Sequence, residues 1–168
     1  MNFECQIARE ENLDVVSSIL TEAAQWQRES GAPRWKEEDL TPTRLRQKVR
    51  SGIYHIGFRG KDPAGVFSLE SIDELFWPGF KDGDALFLHK LAVRRKFAKT
   101  GVSYDLLKCA QKIALGCGKK YLRLDCDASR PRLTAFYRDF GFTQVKSIDL
   151  GGYIAARFQI ELAVGSSL

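Results

Sequence analysis

The segment "LAVRRKFAKTGVSYDLL", residues 91–107, lies at the centre of the pattern that decides the fold. It completes a nearly continuous apolar run over 85–93, which is typical of a strand covered on both faces. Residues 101–116 follow with apolar side chains at helical spacing, and "YLRLDC" (121–126) has the composition of a strand. This order predicts a right-handed βαβ unit with parallel strands.

The flanking sequence adds elements on both sides of this unit. Upstream, the patterns predict strands at 3–8, 53–59 and 64–71. They also predict helices at 12–29 and 41–50. Downstream they predict a helix and two strands, at 131–140, 142–148 and 153–162. The predicted order is β-α-α-β-β-β-α-β-α-β-β. This is an α/β fold with a mixed, mostly antiparallel central sheet of about six to seven strands flanked by about four helices.

Single residues mark several of the predicted helix ends. Asn12 and Thr41 are expected to cap the two upstream helices with their side chains. Pro131 and Gly141 are expected to open and close the last helix. These signals fix helix boundaries without reference to any tertiary contact.

Composition limits the class of protein. The 168 residues suit a single domain, 1–168, with a short flexible tail from about residue 163. No apolar run is long enough to cross a bilayer, and the N-terminal residues lack the features of a signal peptide, so a cytoplasmic location is predicted. The net charge of +5 permits an anionic partner. The basic residues form separate clusters, which suits a small polyanion as well as a nucleic acid.

Cysteine and histidine are sparse. The chain has four cysteines without a CxxC pair and only two histidines, His55 and His89. This pattern does not predict a zinc site, and we expect free thiols and no bound metal.

The turn between residues 93 and 101 permits two interpretations. The first turn of a helix has unpaired backbone N–H groups and a partial positive charge, which together can bind phosphate. Gly101 allows close approach, Ser103 adds a hydroxyl, and the basic residues Arg94, Arg95, Lys96 and Lys99 add charge. The alternative is a solvated basic turn that joins a strand to a helix.

Two segments together resemble the core of the GNAT acetyltransferase superfamily. They are "LAVRRKFAKTGVSYDLL" and "LRLDCDASRPRLTAFYRDFGF" (122–142), whose "FYRDFGF" is similar to the family's helix-to-strand signature. The family's acyl-CoA loop, Arg/Gln-x-x-Gly-x-Gly/Ala, falls without a gap on Ala98, Gly101 and Ser103. Ala98 departs from that pattern because it lacks the long polar side chain, and Lys99 stands where the family often has glycine.

The resemblance implies that acetyl-CoA is the acyl-donor cosubstrate and that no metal takes part. It implies that the backbone of 91–93 binds the acyl group and pantetheine, and that the following loop binds pyrophosphate. The implied coenzyme contacts are Leu91, Ala92, Val93, Lys96, Ala98, Lys99, Thr100, Gly101, Val102, Ser103, Arg130 and Tyr137. Tyr137 corresponds to the family's general acid for the leaving thiolate. Arg130 replaces a frequent asparagine, so it contacts a phosphate or only solvent.

The attacking amine must lose a proton. The candidate acceptors near the predicted sheet centre are Glu70, Asp73, Glu74, Asp84 and His89. Glu70 is favoured because it ends the strand expected beside 85–93. His89 is interpreted as a core or supporting residue.

The resemblance implies an N-acetyltransferase that acts on the primary amine of a small molecule. Four aromatic residues flank the loops expected around the acceptor: Trp26, Trp35, Phe76 and Trp77. Core or hairpin packing is the default for such residues, and the alternative is that two of them line the site mouth and contact an apolar part of the acceptor. The expected partners are a coenzyme A thioester and the amine, with no nucleic acid and no membrane, in a monomer or homodimer. The alternatives are a non-catalytic CoA or acyl-CoA binding module and, ranked last, a nucleic-acid-associated protein.

Overall fold

The structure, a computed structural model, describes residues 2–163 and contains the predicted elements in the predicted order. Its strands are β1 (Phe3–Ile7), β2 (Tyr54–Arg59), β3 (Asp62–Glu70), β4 (Ala85–Val93), β5 (Tyr121–Asp127), β6 (Thr143–Asp149) and β7 (Ile154–Glu161). Its helices are α1 (Leu13–Glu29), α2 (Pro42–Arg50), α3 (Val102–Gly116) and α4 (Pro131–Phe140). The predicted C-terminal tail lies outside the described residues, apart from its first position.

The strands form one seven-stranded sheet in the order β1-β2-β3-β4-β5-β7-β6. The pairs β1–β2, β2–β3, β5–β7 and β6–β7 are antiparallel, and β4–β5 is parallel. The parallel pair brackets α3, as a βαβ crossover requires. The predicted fold class, a mixed and mostly antiparallel sheet with four helices, is therefore confirmed.

The described residues divide into two compact units, 2–68 with 90–109 and 69–89 with 110–163. In the first unit, α1 buries a stripe at helical spacing, Val16, Ile19, Leu20 and Ala23. A stripe of this period places every apolar side chain on one face of the helix. This face packs in a cluster with residues of α2 and of the strands, including Val49, Ile56 and Val66.

The second unit has its own aromatic centre. Trp77, only 1% exposed, packs with Phe87 and with Phe80 at ring distances of 5.9 and 5.2 Å. The ring of Tyr137 in α4 lies 5.8 Å from that of Phe158 in β7. Buried aromatic pairs of this kind contribute about 0.5–1.5 kcal/mol each beyond the area that they bury.

The helix ends follow most of the local signals. Thr41 caps α2, because its side-chain oxygen accepts from the N–H of Arg44 at 3.4 Å. Asn12 precedes α1, but its Oδ1 accepts from the N–H of Arg9 at 2.9 Å and makes no side-chain cap to α1. The expected cap is wrong because a short 3₁₀ turn, Glu10–Asn12, comes first and uses the amide locally. No helix within residues 2–163 is both long and apolar enough to cross a membrane.

Candidate functional site

Strand β4 leaves regular strand geometry at Lys90. This residue has φ +54° inside the strand, a left-handed backbone conformation that residues other than glycine rarely adopt. Parallel pairing with β5 is formed at the other end of the strand, by Ala85, Leu86 and Phe87. Unusual backbone conformations of this kind cluster at functional sites. The left-handed residue comes immediately before 91–93, the segment for which contact with the acyl group is predicted.

The loop after β4 has a defined backbone. A 3₁₀ turn at Arg95–Phe97 is followed by Lys99 at φ +60° and Gly101 at φ +87°, and α3 begins at Val102. The hydroxyl of Thr100 donates to the carbonyl of Phe97 at 2.6 Å. A Cβ added at Gly101 would meet no atom within 4 Å, so this side of the loop is open. The open position at Gly101 lies one residue before the first turn of α3, where unpaired N–H groups favour an anionic group.

The basic side chains around the loop have different roles. Arg94 donates to Ser18 and Glu22, at 3.0 and 3.3 Å. Lys96 pairs with Asp62 at 3.1 Å. The guanidinium of Arg95 stacks on the ring of Trp26 at 4.2 Å, whereas Lys99 is exposed. Three of the four predicted phosphate-binding charges thus have partners within the chain, which leaves Lys99 as the best placed to meet a ligand.

The remaining coenzyme contacts predicted in the first unit, in β4 and at the start of α3, differ in whether the backbone or the side chain is accessible to a ligand. Val102 is 1% exposed, so only its backbone could reach a ligand, whereas Ser103 is half-buried and therefore partly accessible. Leu91 and Val93 are half-buried and Ala92 is buried. Gly65 of β3 allows a close approach to the carbonyl oxygen of Ala92. The structure thus favours backbone rather than side-chain recognition.

Two predicted site residues lie in or next to α4 in the second unit. Tyr137 is 6% exposed, and its ring contacts Phe136, Phe142 and Phe158 at centroid distances of 5.3–5.9 Å. The ring therefore packs in the core, and any chemistry must use its hydroxyl. Arg130 occupies the position before the helix, where its carbonyl accepts from the first turn and its side chain makes no cap.

The candidate proton acceptors also lie in the second unit. Glu74 pairs with Lys81 at 2.8 Å on the surface, and Asp84 is exposed. Asp73 is different, because it is buried and its Oδ2 lies 3.3 Å from Nε2 of His89. With Asp125 these two residues form a cluster whose donor atoms lie within 4.8 Å of one another, a spacing compatible with a cation as well as with proton exchange. Glu70 adds a further negative charge that acts on His89.

The aromatic residues expected around the acceptor do not share one environment. Trp77 belongs to the core of the second unit, which is the core-packing alternative expected for these aromatic residues. The guanidinium groups of Arg123 and Arg157 stack on its ring, at 5.3 and 4.9 Å. In the first unit Trp26 is 38% exposed, and the ammonium of Lys90 lies over the ring of Trp35, 4.7 Å from its centroid.

A family model decides the class of the protein. The model of the acetyltransferase (GNAT) family matches residues 20–142, a span that includes β4, the open loop and Tyr137. The chain belongs to the GNAT family. The resemblance of the two sequence segments is thereby confirmed.

Individual GNAT proteins resemble the chain over most of its length. The uncharacterized N-acetyltransferase YesJ of Bacillus subtilis (strain 168) is 26% identical over 151 residues, 85% of this chain and 82% of that protein. A GNAT acetyltransferase of Listeria monocytogenes 4b F2365 has a TM-score of 0.80 at 22% identity, with 95% of both chains covered. YncA of Salmonella typhimurium, solved with its cofactor acetyl-CoA, has a TM-score of 0.71 at 14% identity, covering 100% of this chain and 98% of that one. These structures share the GNAT fold.

Sequence reasoning missed two features of the candidate site. Asp125 lies in a strand of ordinary composition, and only the fold brings its carboxylate near His89. The left-handed backbone of Lys90 has no sequence signal, because lysine is not a residue that favours it. The residue pattern "HKLAV" (89–93) predicts the strand but not the left-handed residue within it.

Proposed function

We propose that the protein is an acetyl-CoA-dependent N-acetyltransferase, a single acyltransferase domain that acetylates a primary amine of a small molecule. Membership of the GNAT family supports acetyl transfer. The observation that carries the proposal is the open, left-handed loop between β4 and α3, with Lys99 at φ +60° and Gly101 at φ +87°. Such a loop at a helix N-terminus suits the pyrophosphate of a coenzyme A thioester.

The proposed coenzyme contacts come from backbone groups first. The N–H groups of Gly101, Val102 and Ser103 bind pyrophosphate, with the Lys99 ammonium and the Ser103 hydroxyl as supplements. The backbone of Leu91 or Ala92 donates to the oxyanion of the tetrahedral intermediate, and an oxyanion donor of this kind contributes about 10²–10³-fold to kcat. The further contacts in this proposal are Val93, Lys96, Ala98, Thr100, Arg130 and Tyr137.

The proposed chemistry is direct attack. The amine nitrogen bonds to the thioester carbonyl carbon, the carbon–sulfur bond breaks, and the thiolate leaves with its electron pair. The Tyr137 hydroxyl protonates the thiolate, a general-acid step. The burial of the tyrosine ring holds it in one orientation, which supports this role. The amine proton passes to one of the candidate acceptors in the second unit, among which the sequence pattern favours Glu70, at the end of β3.

Two measurements test the proposal. Acetyl-CoA at millimolar concentration should raise the unfolding temperature, because a ligand that binds only the folded state stabilises it. Thiol release from acetyl-CoA should then depend on an amine, and tyramine, spermidine and glucosamine serve as aromatic, polycationic and sugar probes. Stabilisation without acetylation of any probe amine would favour a non-catalytic coenzyme-binding module. If acetyl-CoA gives no stabilisation, both readings fail.

A further inference from the structure

One imidazole in the second unit is surrounded by carboxylates from three different places in the fold. His89 lies in β4, Asp73 in the loop after β3, Asp125 in β5, and Glu70 at the end of β3. Nε2 of His89 is 3.3 Å from Oδ2 of Asp73. The donor atoms of Asp73, His89 and Asp125 lie within 4.8 Å of one another. These residues are far apart in sequence, so the fold alone assembles the cluster.

Burial distinguishes the two members of the closest pair. The side chain of Asp73 is 6% exposed, whereas that of His89 is 21% exposed. Oδ1 of Asp73 accepts from the N–H of Phe76 at 3.0 Å. Oδ2 is buried and accepts no well-aligned hydrogen bond within residues 2–163, so its charge is balanced chiefly by the imidazole. His89 thus connects a buried anion to solvent, an arrangement suited to proton exchange.

The electrostatics favour the protonated imidazole. Burial alone would lower the pKa of His89, but contact with Asp73 and the charges of Asp125 and Glu70 outweigh it and raise that pKa. Burial opposes the charge of Asp73 as well, yet contact with His89 and backbone N–H groups lowers the pKa of Asp73 overall. The other histidine, His55, shows the opposite behaviour, because burial lowers its pKa.

We propose that His89, positioned by Asp73 and Asp125, accepts the proton of the attacking amine, and that Glu70 contributes charge rather than accepting the proton itself. This inference rests on the proposed acetyltransferase function. When Nε2–H points to Asp73, the neutral ring carries its lone pair on Nδ1. As the carbon–nitrogen bond forms, the amine proton passes to Nδ1, and the departing thiolate takes its proton from Tyr137. The surrounding carboxylates also attract an acceptor that is a cation in solution.

The position of His89 along the chain agrees with this role. His89 is two residues before Leu91, for which an acyl-group contact is proposed, and directly before the left-handed Lys90. It also lies two residues beyond Phe87, the last residue of β4 in the parallel pairing with β5. The partial exposure of His89 and the buried carboxylate beside it suit a group that exchanges protons.

The experiment compares four variants with the wild type: His89→Gln, Asp73→Asn, Glu70→Gln and, as a control, Asp139→Asn, which removes an exposed carboxylate of α4. The readout is kcat/KM against pH for the best of tyramine, spermidine and glucosamine. The wild type should lose activity as pH falls through the pKa of His89. His89→Gln should abolish this dependence and lower kcat by about 10²–10⁴-fold. Asp73→Asn should shift it to lower pH, because the neutral amide no longer raises the histidine pKa.

Folding and coenzyme binding are monitored in the same variants. Stabilisation by CoA should persist in His89→Gln, since the loop at Gly101 is unchanged. Because the chain has only two histidines, NMR titration of their ring protons gives the His89 pKa directly, and His89→Gln assigns the signal. A fall of that pKa in Asp73→Asn supports the positioning role even if turnover is low.

The possible contrary results are distinct. If the wild type acetylates a probe amine but His89→Gln keeps its rate and pH profile, the inference is overturned while the function stands. Loss of the pH dependence in Glu70→Gln instead of His89→Gln would assign the role to Glu70. Activity lost in EDTA and restored by Zn²⁺ would assign the cluster to a cation and also overturn the inference. Failure of the wild type to acetylate any probe overturns the proposed function itself.

Discussion

Gly65→Ala tests whether the packing of β3 supports the proposed coenzyme site. A Cβ added at Gly65 would lie 2.6 Å from the carbonyl oxygen of Ala92 and 2.6 Å from Cδ1 of Leu106. Ordinary van der Waals contact begins at 3.4 Å, so the backbone at Ala92 must move by about 0.8 Å. The N–H of Arg94 donates to the carbonyl of Ala64 at 2.9 Å, which ties the same two segments together and resists that movement.

The expected cost follows from this displacement. Overpacking a well-packed site costs about 1–3 kcal/mol. Reduced freedom of the unfolded chain returns about 0.4–1 kcal/mol when glycine is replaced by alanine. A net loss of about 1–2 kcal/mol should lower the unfolding temperature by about 2–8 °C for a chain of this size. Because Ala92 belongs to the proposed oxyanion and pantetheine contacts, acetyl transfer should fall more than stability, and a misplacement near 1 Å costs about 10²-fold.

Thermal unfolding with and without CoA, together with amine-dependent thiol release, measures both effects. Gly116→Ala is the matched control. Gly116 ends α3, and a Cβ there meets no atom within 4 Å, so its unfolding temperature should stay equal or rise. A Gly65→Ala protein that unfolds at or above the wild-type temperature would refute the packing argument. If Gly65→Ala loses the expected stability but keeps the wild-type rate of acetyl transfer, the link between Ala92 and the site would be refuted.

Three further predictions concern the loop, the tyrosine and the buried ion pair. Gly101→Ala should lower the free energy of unfolding by about 1 kcal/mol, because alanine disfavours the left-handed backbone although its Cβ meets no atom. The variant should also be stabilised less by acetyl-CoA in a thermal titration; a midpoint of that titration equal to the wild type's would contradict the prediction. Tyr137→Phe keeps the packed ring, so we expect a near-normal unfolding temperature but about 10²-fold lower turnover; normal turnover at every pH would exclude the general-acid role. For the ion pair, the lowered pKa of Asp73 gives stability that is lost as acid protonates it, and the raised pKa of His89 gives stability that is lost as alkali deprotonates it. The unfolding temperature of His89→Gln should therefore fall furthest below that of the wild type near pH 5–6, between the ordinary pKa values of aspartate, about 3.9, and histidine, about 6.5. The difference should shrink above the raised pKa of His89. An equal difference at every pH would contradict the pairing.

Local signals predicted the elements well because their causes are local. Apolar periods of 3.6 and 2, with Thr41, Pro131 and Gly141 at helix ends, act within a few residues. Asn12 shows the limit of such signals. Its side chain could accept either from the first turn of α1 or from the 3₁₀ turn before it. It accepts from the N–H of Arg9, which precedes the 3₁₀ turn. The alignment of the family motif on Gly101 and Ser103 also came from sequence, since it depends only on the number of residues after Val93.

The site itself required the tertiary structure for its electrostatics. Sequence showed a row of basic residues, but long-range contacts paired Arg94 with Glu22 and Lys96 with Asp62, and left Lys99 exposed. Trp77 had the sequence context of a loop residue, yet it packs against Phe87 in a core. Aromatic type and charge are visible in the sequence, whereas burial depends on which distant segments meet.

The sequence by itself determined the order of elements, the glycine-containing loop before α3 and the family of the protein, because each depends on spacing along the chain. The tertiary structure decided which groups act on one another. It brought Asp73 and Asp125 to His89 from different elements and raised the pKa of the imidazole. It also placed Lys90 of β4 in a left-handed conformation, which lysine does not specify. Coulomb energy and burial depend on distances across the fold, and these are set only when the strands have paired.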